Sequence, residues 1–286
     1  WAELDQFIKQ WGDGGKKVIP RIALYTSGGA NPTSYQATPQ WVFDAGADFI
    51  TLIDSDTGKK LVWPVPWDLV FLRKYENFVR VFGRRYDGHP AIESVEIGLG
   101  LFATTRLALR NPQDAAEKFI AKGFDPDTKQ PWMDTIRKVM QFHREAFETT
   151  PLRMTITHFT NCAAVSRALC KSVESDNDDD SAPRVGILAK EAAAKGIVIH
   201  YHNLMGTDRF LARPWLKLYE EIHAQYPHAK TSFGTDNPTN NAARYGIIRD
   251  IVRYAFGGNI SGKGIYPQSH ISYLSLYADD IARSTP

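Results

Sequence analysis

His200 and His202 stand two apart in the run IVIHYHN, with Asn203 immediately after. In an extended chain, residues i and i+2 share a face, so a strand here sends both imidazoles the same way. Such a pair can hydrogen-bond sugar hydroxyls or a nearby carboxylate, and H-x-H is also a spacing that chelates zinc. With His158 at the end of MTITHF and Asp236 in TSFGTDN, these residues would form a polar ring where strands end. Hydroxyl recognition is the reading adopted, with no bound metal and no cofactor expected. Glu96, mid-run in SVEIGLG, shares a face with Ser94 and Gly98. A carboxylate inside a sheet-lined core needs a partner, and Arg21 on the neighbouring strand is the expected one, as a structural ion pair.

Aromatic residues are the second chemical signal. Trp41, Trp63 and Trp67 fall in a long Pro-rich stretch after the segment that carries Arg21 and Tyr25. Read as loop residues, they suit stacking on flat, amphipathic rings such as sugars. Trp132 and Trp215 follow Pro131 and Pro214 at helix starts, where packing is the simpler role. The acidic run Asp176, Asp178, Asp179 and Asp180 lacks the glycine and the bidentate glutamate of a calcium loop, because Ile187 stands at the twelfth position. It reads as a solvated loop. The Gly-rich stretch 257–264 lacks the G-K-[ST] ending of a phosphate loop and reads as a surface connection. Cys162 and Cys170 lie eight apart in helix-like sequence, about 12 Å along a helix. That is beyond disulfide reach, so both are expected to be free thiols.

Strand-like and helix-like segments alternate through the chain, the rhythm of a parallel sheet wrapped by helices. Strands are expected near Val18, Ser94, Met154, Val198, Thr231 and Ile271, and strongly periodic helices in VFLRKYENFVRVFGRRY, PWMDTIRKVMQFHREAF and PWLKLYEEIHAQY. The fold class expected is α/β, a TIM (β/α)8-type barrel, with residues 1–286 as a single domain. Six strands against the usual eight, and a start inside a helix at Trp1, imply that the first strands are missing from this chain. With a net charge of +2 and both signs dispersed, nucleic acid and anionic membranes are not the expected partners. No run of about 18 apolar residues is present to span a bilayer.

Three segments resemble one family group. WAELDQFIKQWGDGGKKVIPRI, TPQWVFDAGADFI and PVPWDLVFLRKYENFVRVFGRRYDGHPAIESVEIG look like stretches around the third and fourth strands of clan-A glycoside hydrolases. The likeness is greatest to the β-galactosidase-like and uncharacterised bacterial branches, and it covers about the first hundred residues. It implies a retaining enzyme of secreted, cell-surface or periplasmic location that acts on a polysaccharide or oligosaccharide. Arg21, Tyr25, Trp41, Trp63, Trp67, His158, His200, His202 and Asn203 would contact the glycan. Retention needs two carboxyl groups about 5–5.5 Å apart, one as acid/base and one as nucleophile. Relatives carry these glutamates after strands 4 and 7. Here the matching positions hold Thr104 or Thr105 in GLGLFATTRLA, and Thr235 or Asp236 in TSFGTDN. A hydroxyl of alcohol-like pKa does not protonate a leaving group near neutral pH, whereas Asp236 could attack with a shorter arm. Replacement by design, a natural carbohydrate-binding pseudo-enzyme and a different location of the carboxylates all fit. A metal-dependent barrel hydrolase is a further alternative.

Overall fold

Alternation of strand and helix is realised in the structure, a computed structural model. It describes residues 1–24, 37–53, 58–100, 103–107, 115–157, 159, 181–204, 213–235 and 271–275. The elements are α1 (Ala2–Asp13), α2 (Gln40–Asp44), β1 (Phe49–Ile53), β2 (Lys60–Pro64), α3 (Leu69–Tyr86), β3 (Val95–Glu96) and α4 (Ala115–Ala121). They continue with α5 (Trp132–Ala146), β4 (Leu152–Ile156), α6 (Ser181–Ala194), β5 (Val198–Leu204), α7 (Arg213–Gln225), β6 (Thr231–Thr235) and β7 (Tyr273–Ser275). Strands β3 to β7 neighbour one another in chain order. The pairings β3–β4, β5–β6 and β6–β7 are parallel. A helix stands between each successive pair from β3 to β6. This is the repeat of a TIM-type (β/α) barrel, present here in part.

All six expected strand positions are found, although the first is vestigial. Val18 and Arg21 make single parallel bridges to Ile92 and Glu96 in place of a ladder. Pro20 lies between them and has no N–H to donate, although its carbonyl accepts from Glu96 N at 3.0 Å. The long stretch read as loop hides an antiparallel hairpin, β1–β2, in register from Phe49↔Pro64 to Ile53↔Lys60. Its turn lies between two short apolar runs, FITLI and KLVWP, which pattern alone does not separate from buried loop.

The chain divides into two compact units. One comprises Trp1–Arg153 and Thr157–Leu188, the other Met154–Ile156 and Ala189–Pro286. In the first unit, α3 begins where the Asp68 carboxylate accepts from the N–H groups of Val70 and Phe71 at 2.9 and 2.8 Å. Those are two of the donors that a helix start leaves unpaired. The helix buries Phe71, Leu72, Tyr75, Val79, Phe82, Gly83 and Tyr86, a stripe of helical period. α5 buries Trp132, Ile136, Val139, Met140 and His143 on a matching stripe. The two helices close to backbone distance at Gly83, where an added Cβ would lie 2.1 Å from the Ala146 carbonyl oxygen. At the far end of α3, Asp87 accepts from the backbone N–H groups of Glu148, Thr149 and Thr150. Burial pushes its carboxyl pKa up, but these donors, Thr150 foremost, outweigh that and hold it below the usual range.

In the second unit, α7 lays Trp215 on Tyr201 of β5, with ring centroids 4.7 Å apart, and Tyr219 on Phe233 of β6 at 4.8 Å. Strand periodicity then puts His200 and Ser232 on the opposite face.

Two outcomes follow from the α3–α5 packing. Gly83→Ala should cost about 1–3 kcal/mol, because the clash is with backbone and not with a flexible side chain; urea unfolding reads this out. His143 is fully buried, and burial lowers its pKa from 6.5 to about 4 against the opposing pull of the Val139 carbonyl. The folded pKa lies below the unfolded one, so the unfolded chain binds the extra proton between about pH 6.5 and 4. Stability should therefore fall across that window by up to about 3 kcal/mol and flatten below it. His143→Leu should abolish this part of the slope in unfolding midpoints measured from pH 7 to 4.

Candidate functional site

Parallel strands end on one side, and in this architecture that side is where side chains converge. After β3 the chain runs through Ile97, Gly98, Leu99 and Gly100, all buried, and returns at Ala103–Leu107 alongside the end of β4. Gly98 is required by close approach: an added Cβ would lie 2.2 Å from the Ile22 carbonyl oxygen and 2.6 Å from the Tyr75 hydroxyl. That hydroxyl donates to the Gly98 carbonyl at 2.8 Å. Ala103 adopts φ +56°, a left-handed conformation that is uncommon for a side-chain-bearing residue and recurs at functional turns.

Thr104 and Thr105 then diverge in role. Thr105 is fully buried. Its hydroxyl donates to the Thr157 carbonyl and accepts from the Thr157 N–H at 2.8 Å. Its own carbonyl accepts from Trp132 Nε1 at 2.9 Å. Both sides of Thr105 are thus structural contacts between the β3 end, the β4 end and α5. Thr104 is 7% exposed, and its Oγ1 accepts from the Arg106 N–H at 3.1 Å. Arg106 extends a terminal guanidinium nitrogen to Thr157 Oγ1 at 2.9 Å. Leu107 N donates to the Phe159 carbonyl at 2.7 Å.

Beneath this clasp, Glu96 is paired with Arg153, and the two side chains are 1% and 9% exposed. The ion pair is the one expected of Glu96, but its partner is not Arg21. Arg21 is exposed and meets Glu96 only as a backbone bridge. Arg153 and Thr155 alternate along β4 and Thr157 follows directly after it, so one face of this segment carries charge and hydroxyls.

On β5 and β6, His200 is fully buried and its Nδ1 lies 2.7 Å from Ser232 Oγ. His202 and Asn203 follow it on β5, and Thr235 ends β6. Tyr25, His158 and Asp236 lie outside the described residues, as do Cys162, Cys170, the acidic run and the Gly-rich stretch. The structure therefore brings Thr104, Thr105, Arg106 and Thr157 together in the first unit, and His200 and Ser232 together in the second.

The three tryptophans separate. Trp41 stands on α2, 56% exposed, with the Lys74 ammonium 5.7 Å from its ring centroid. Trp63 is not a loop residue: it lies in β2, fully buried, and stacks on Phe119 at 6.3 Å, leaving no face for a ligand in this conformation. Trp67 is half-buried between Phe119 and Phe124 and donates from Nε1 to the Lys122 carbonyl at 2.8 Å. Trp132 and Trp215 are buried, as expected.

A cavity of about 220 Å³ lies elsewhere, lined by Asp5, Ile8, Lys9, Arg85, Tyr86 and His89. It adjoins the turn that leads into β3, and hydrogen bonds from Arg85 and then Tyr86 hold the Asp5 carboxyl down at about 2. Among the described residues, no group of three or more His, Cys, Asp or Glu is arranged to hold a metal ion. Among them also, no helix is long and apolar enough to cross a membrane.

Sequence reasoning missed Arg106 and Thr157. The alternation R-M-T-I-T through the end of β4 was the available signal for Thr157, whereas Arg106 is positioned by contacts to Thr104 and Thr157 that no sequence pattern announces.

No family model matches the chain, and no curated protein matches it. Among solved structures it is similar to a thermostable mutant of a xylanase from Cellvibrio japonicus, at 13% identity and a TM-score of 0.45, covering 96% of this chain and 71% of that one. It is also similar to the catalytic core of a xylanase A, at 13% identity and a TM-score of 0.48, with the same coverage. A GH10 structure from Paenibacillus barcinonensis matches at 14% identity and a TM-score of 0.42, covering 82% of this chain and 55% of that one. None of the three is named as a protein of the β-galactosidase-like branch that the motifs suggested.

Replacing Thr105 with valine keeps the shape and removes the hydroxyl, leaving the Thr157 N–H and carbonyl without it. The expected cost is about 1–3 kcal/mol. Thr104→Val loses the longer contact to the Arg106 N–H and should cost less than Thr105→Val. Denaturant unfolding of both variants checks the contrast, and no loss of stability in Thr105→Val would contradict the clasp.

Proposed function

We propose that this chain is a glycoside hydrolase-type barrel that holds a polysaccharide or oligosaccharide across the carboxyl ends of its parallel strands. One observation carries the reading. The turn that the sequence motifs align with an acid/base glutamate lies at the end of β3, against the end of β4, where such a group would have to stand. Thr104 is the position in that turn assigned here to the missing acid/base glutamate. Thr105, by contrast, is engaged on both sides by backbone and indole. Trp41, exposed on α2, supplies a flat apolar ring for a sugar face. A substrate of this kind fits a location outside the cell or in the periplasm, and the whole chain acts as one barrel domain.

The chemistry proposed is retaining hydrolysis, with Asp236 as the nucleophile candidate and Thr104 standing where a proton donor would be required. A threonine hydroxyl cannot supply that proton near neutral pH. The chain as written therefore binds glycan and turns it over weakly or not at all. The structural engagement of Thr105 favours one second reading, a natural carbohydrate-binding barrel in which this turn serves binding alone.

Reducing-end release from a panel of plant and bacterial polysaccharides, run beside affinity electrophoresis on the same panel, tests both readings. Glycan binding by the wild-type chain is expected, weakened about tenfold or more in Trp41→Ala. Thr104→Glu should raise hydrolysis by 10²-fold or more, the usual scale of general acid catalysis. Binding without activity in either chain would select the binding-protein reading. Absence of both would defeat the proposal.

A further inference from the structure

We infer that Trp41 and Lys74 together form a subsite for a sugar that carries a carboxylate, an inference that rests on the glycan-binding reading. Trp41 stands on α2, which lies in the connection between the Val18–Arg21 segment and α3. Connections of this kind, from a parallel strand to the helix that follows, build the binding side of a (β/α) barrel. The indole is 56% exposed, whereas Trp63, Trp132 and Trp215, which serve packing, are buried. From the second turn of α3, Lys74 brings its ammonium to 5.7 Å from the centre of the Trp41 ring, within the range of a cation–π contact. The lysine is half-buried, so part of its stem is packed instead of free in solvent.

Among the described residues, Lys74 has no carboxylate and no hydrogen-bond partner. The acidic side chains nearest it in sequence on these two helices are engaged elsewhere. Asp44 of α2 accepts from the Gln40 side chain at 2.9 Å, and Glu76 of α3 meets Arg80 at 2.6 Å. The adjacent cation, Arg73, donates to the Leu69 carbonyl at 3.3 Å and so adds positive charge that no described carboxylate offsets. An ammonium carries three N–H donors, and a ring face engages only one side of it. The pair therefore offers two contacts at one place: a flat apolar surface for the C–H face of a sugar, and an uncompensated cation beside that surface. The indole alone suffices for a neutral sugar. A uronic acid uses both, because its carboxylate sits on the carbon that projects from the ring.

The test titrates the wild-type chain calorimetrically, at low and at high salt, with tetramers of galacturonic and of glucuronic acid. The methyl ester of each, which keeps the sugar and removes the charge, is titrated alongside. The wild type should bind at least one acid form about threefold or more tighter than its ester at low salt, with the margin shrinking as salt rises. Lys74→Gln should erase that preference and leave ester binding within about twofold. Lys74→Arg, which keeps the charge and the cation–π contact, should retain it, and Lys74→Glu should reverse it. Trp41→Ala should weaken acid and ester alike. Thermal unfolding of each variant verifies the fold. Equal binding of acid and ester by the wild type overturns the inference, as does a preference that survives Lys74→Gln. An equal loss of both forms in Lys74→Gln overturns it too, since the lysine would then only support the indole. Each of these results leaves glycan binding standing. Failure to bind any glycan, including the polysaccharide panel, would remove the parent reading and this inference together.

Discussion

The buried ion pair between Glu96 and Arg153 fixes the first unit of this protein. Each charge is almost wholly withdrawn from water, and effective desolvation penalties run to several kcal/mol per ion. Only close pairing offsets such a cost, and close pairing exists in one register, with Glu96 directly opposite Arg153 across β3 and β4. A slip of one residue would turn every side chain of the strand to the other face. The pair is therefore less a source of stability than a constraint on alignment. From that alignment follow the approach of Gly98 to Ile22 and Tyr75, the reach of Thr105 to Thr157, and the place of Arg106.

The second unit solves the same problem with neutral groups. His200 and Ser232 pair across β5 and β6 on one face, while Tyr201 and Phe233 meet the aromatic side of α7 on the other. In both units hydrogen-bonding residues are gathered on adjacent strands and packing is delegated elsewhere. Strand periodicity does this, and the β5–β6 register shifts only past these pairs, between Tyr201 and Leu204. Among the described non-glycine residues, positive φ occurs at Ala103, in the turn after β3, and at Lys129, just before α5.

The strand order was legible because parallel strands buried on both faces read as continuous apolar runs between helices of clear period. AIESVEIGLGLF and IVIHYHN are such runs. The β1–β2 hairpin was not legible. FITLI and KLVWP are short, and Trp63 beside Pro64 and Pro66 resembles a loop aromatic until pairing buries it. Within the site, period-two reasoning placed His200 on the polar face of β5 and foresaw a partner for Glu96. It could not choose between Arg21 and Arg153, because both are opposite Glu96 on flanking chain segments and only side-chain direction separates them. The differing duties of Thr104 and Thr105 were equally hidden, since adjacent residues of one type carry the same local signal.

The hairpin has a consequence for how such a protein could change over evolutionary time. It is fastened at its base: Trp63 stacks on Phe119, Lys118 donates to the Thr51 carbonyl, and the neighbouring Trp67 donates to Lys122. All of these anchors lie on β1, β2, α4 and the residues flanking them. None lies on β3 or β4. Insertions or deletions between Ile53 and Lys60 would thus fall outside the contacts that lock the register of the central strands. Diversification of shape and preservation of the scaffold are carried by separate parts of the chain, so one can drift without endangering the other.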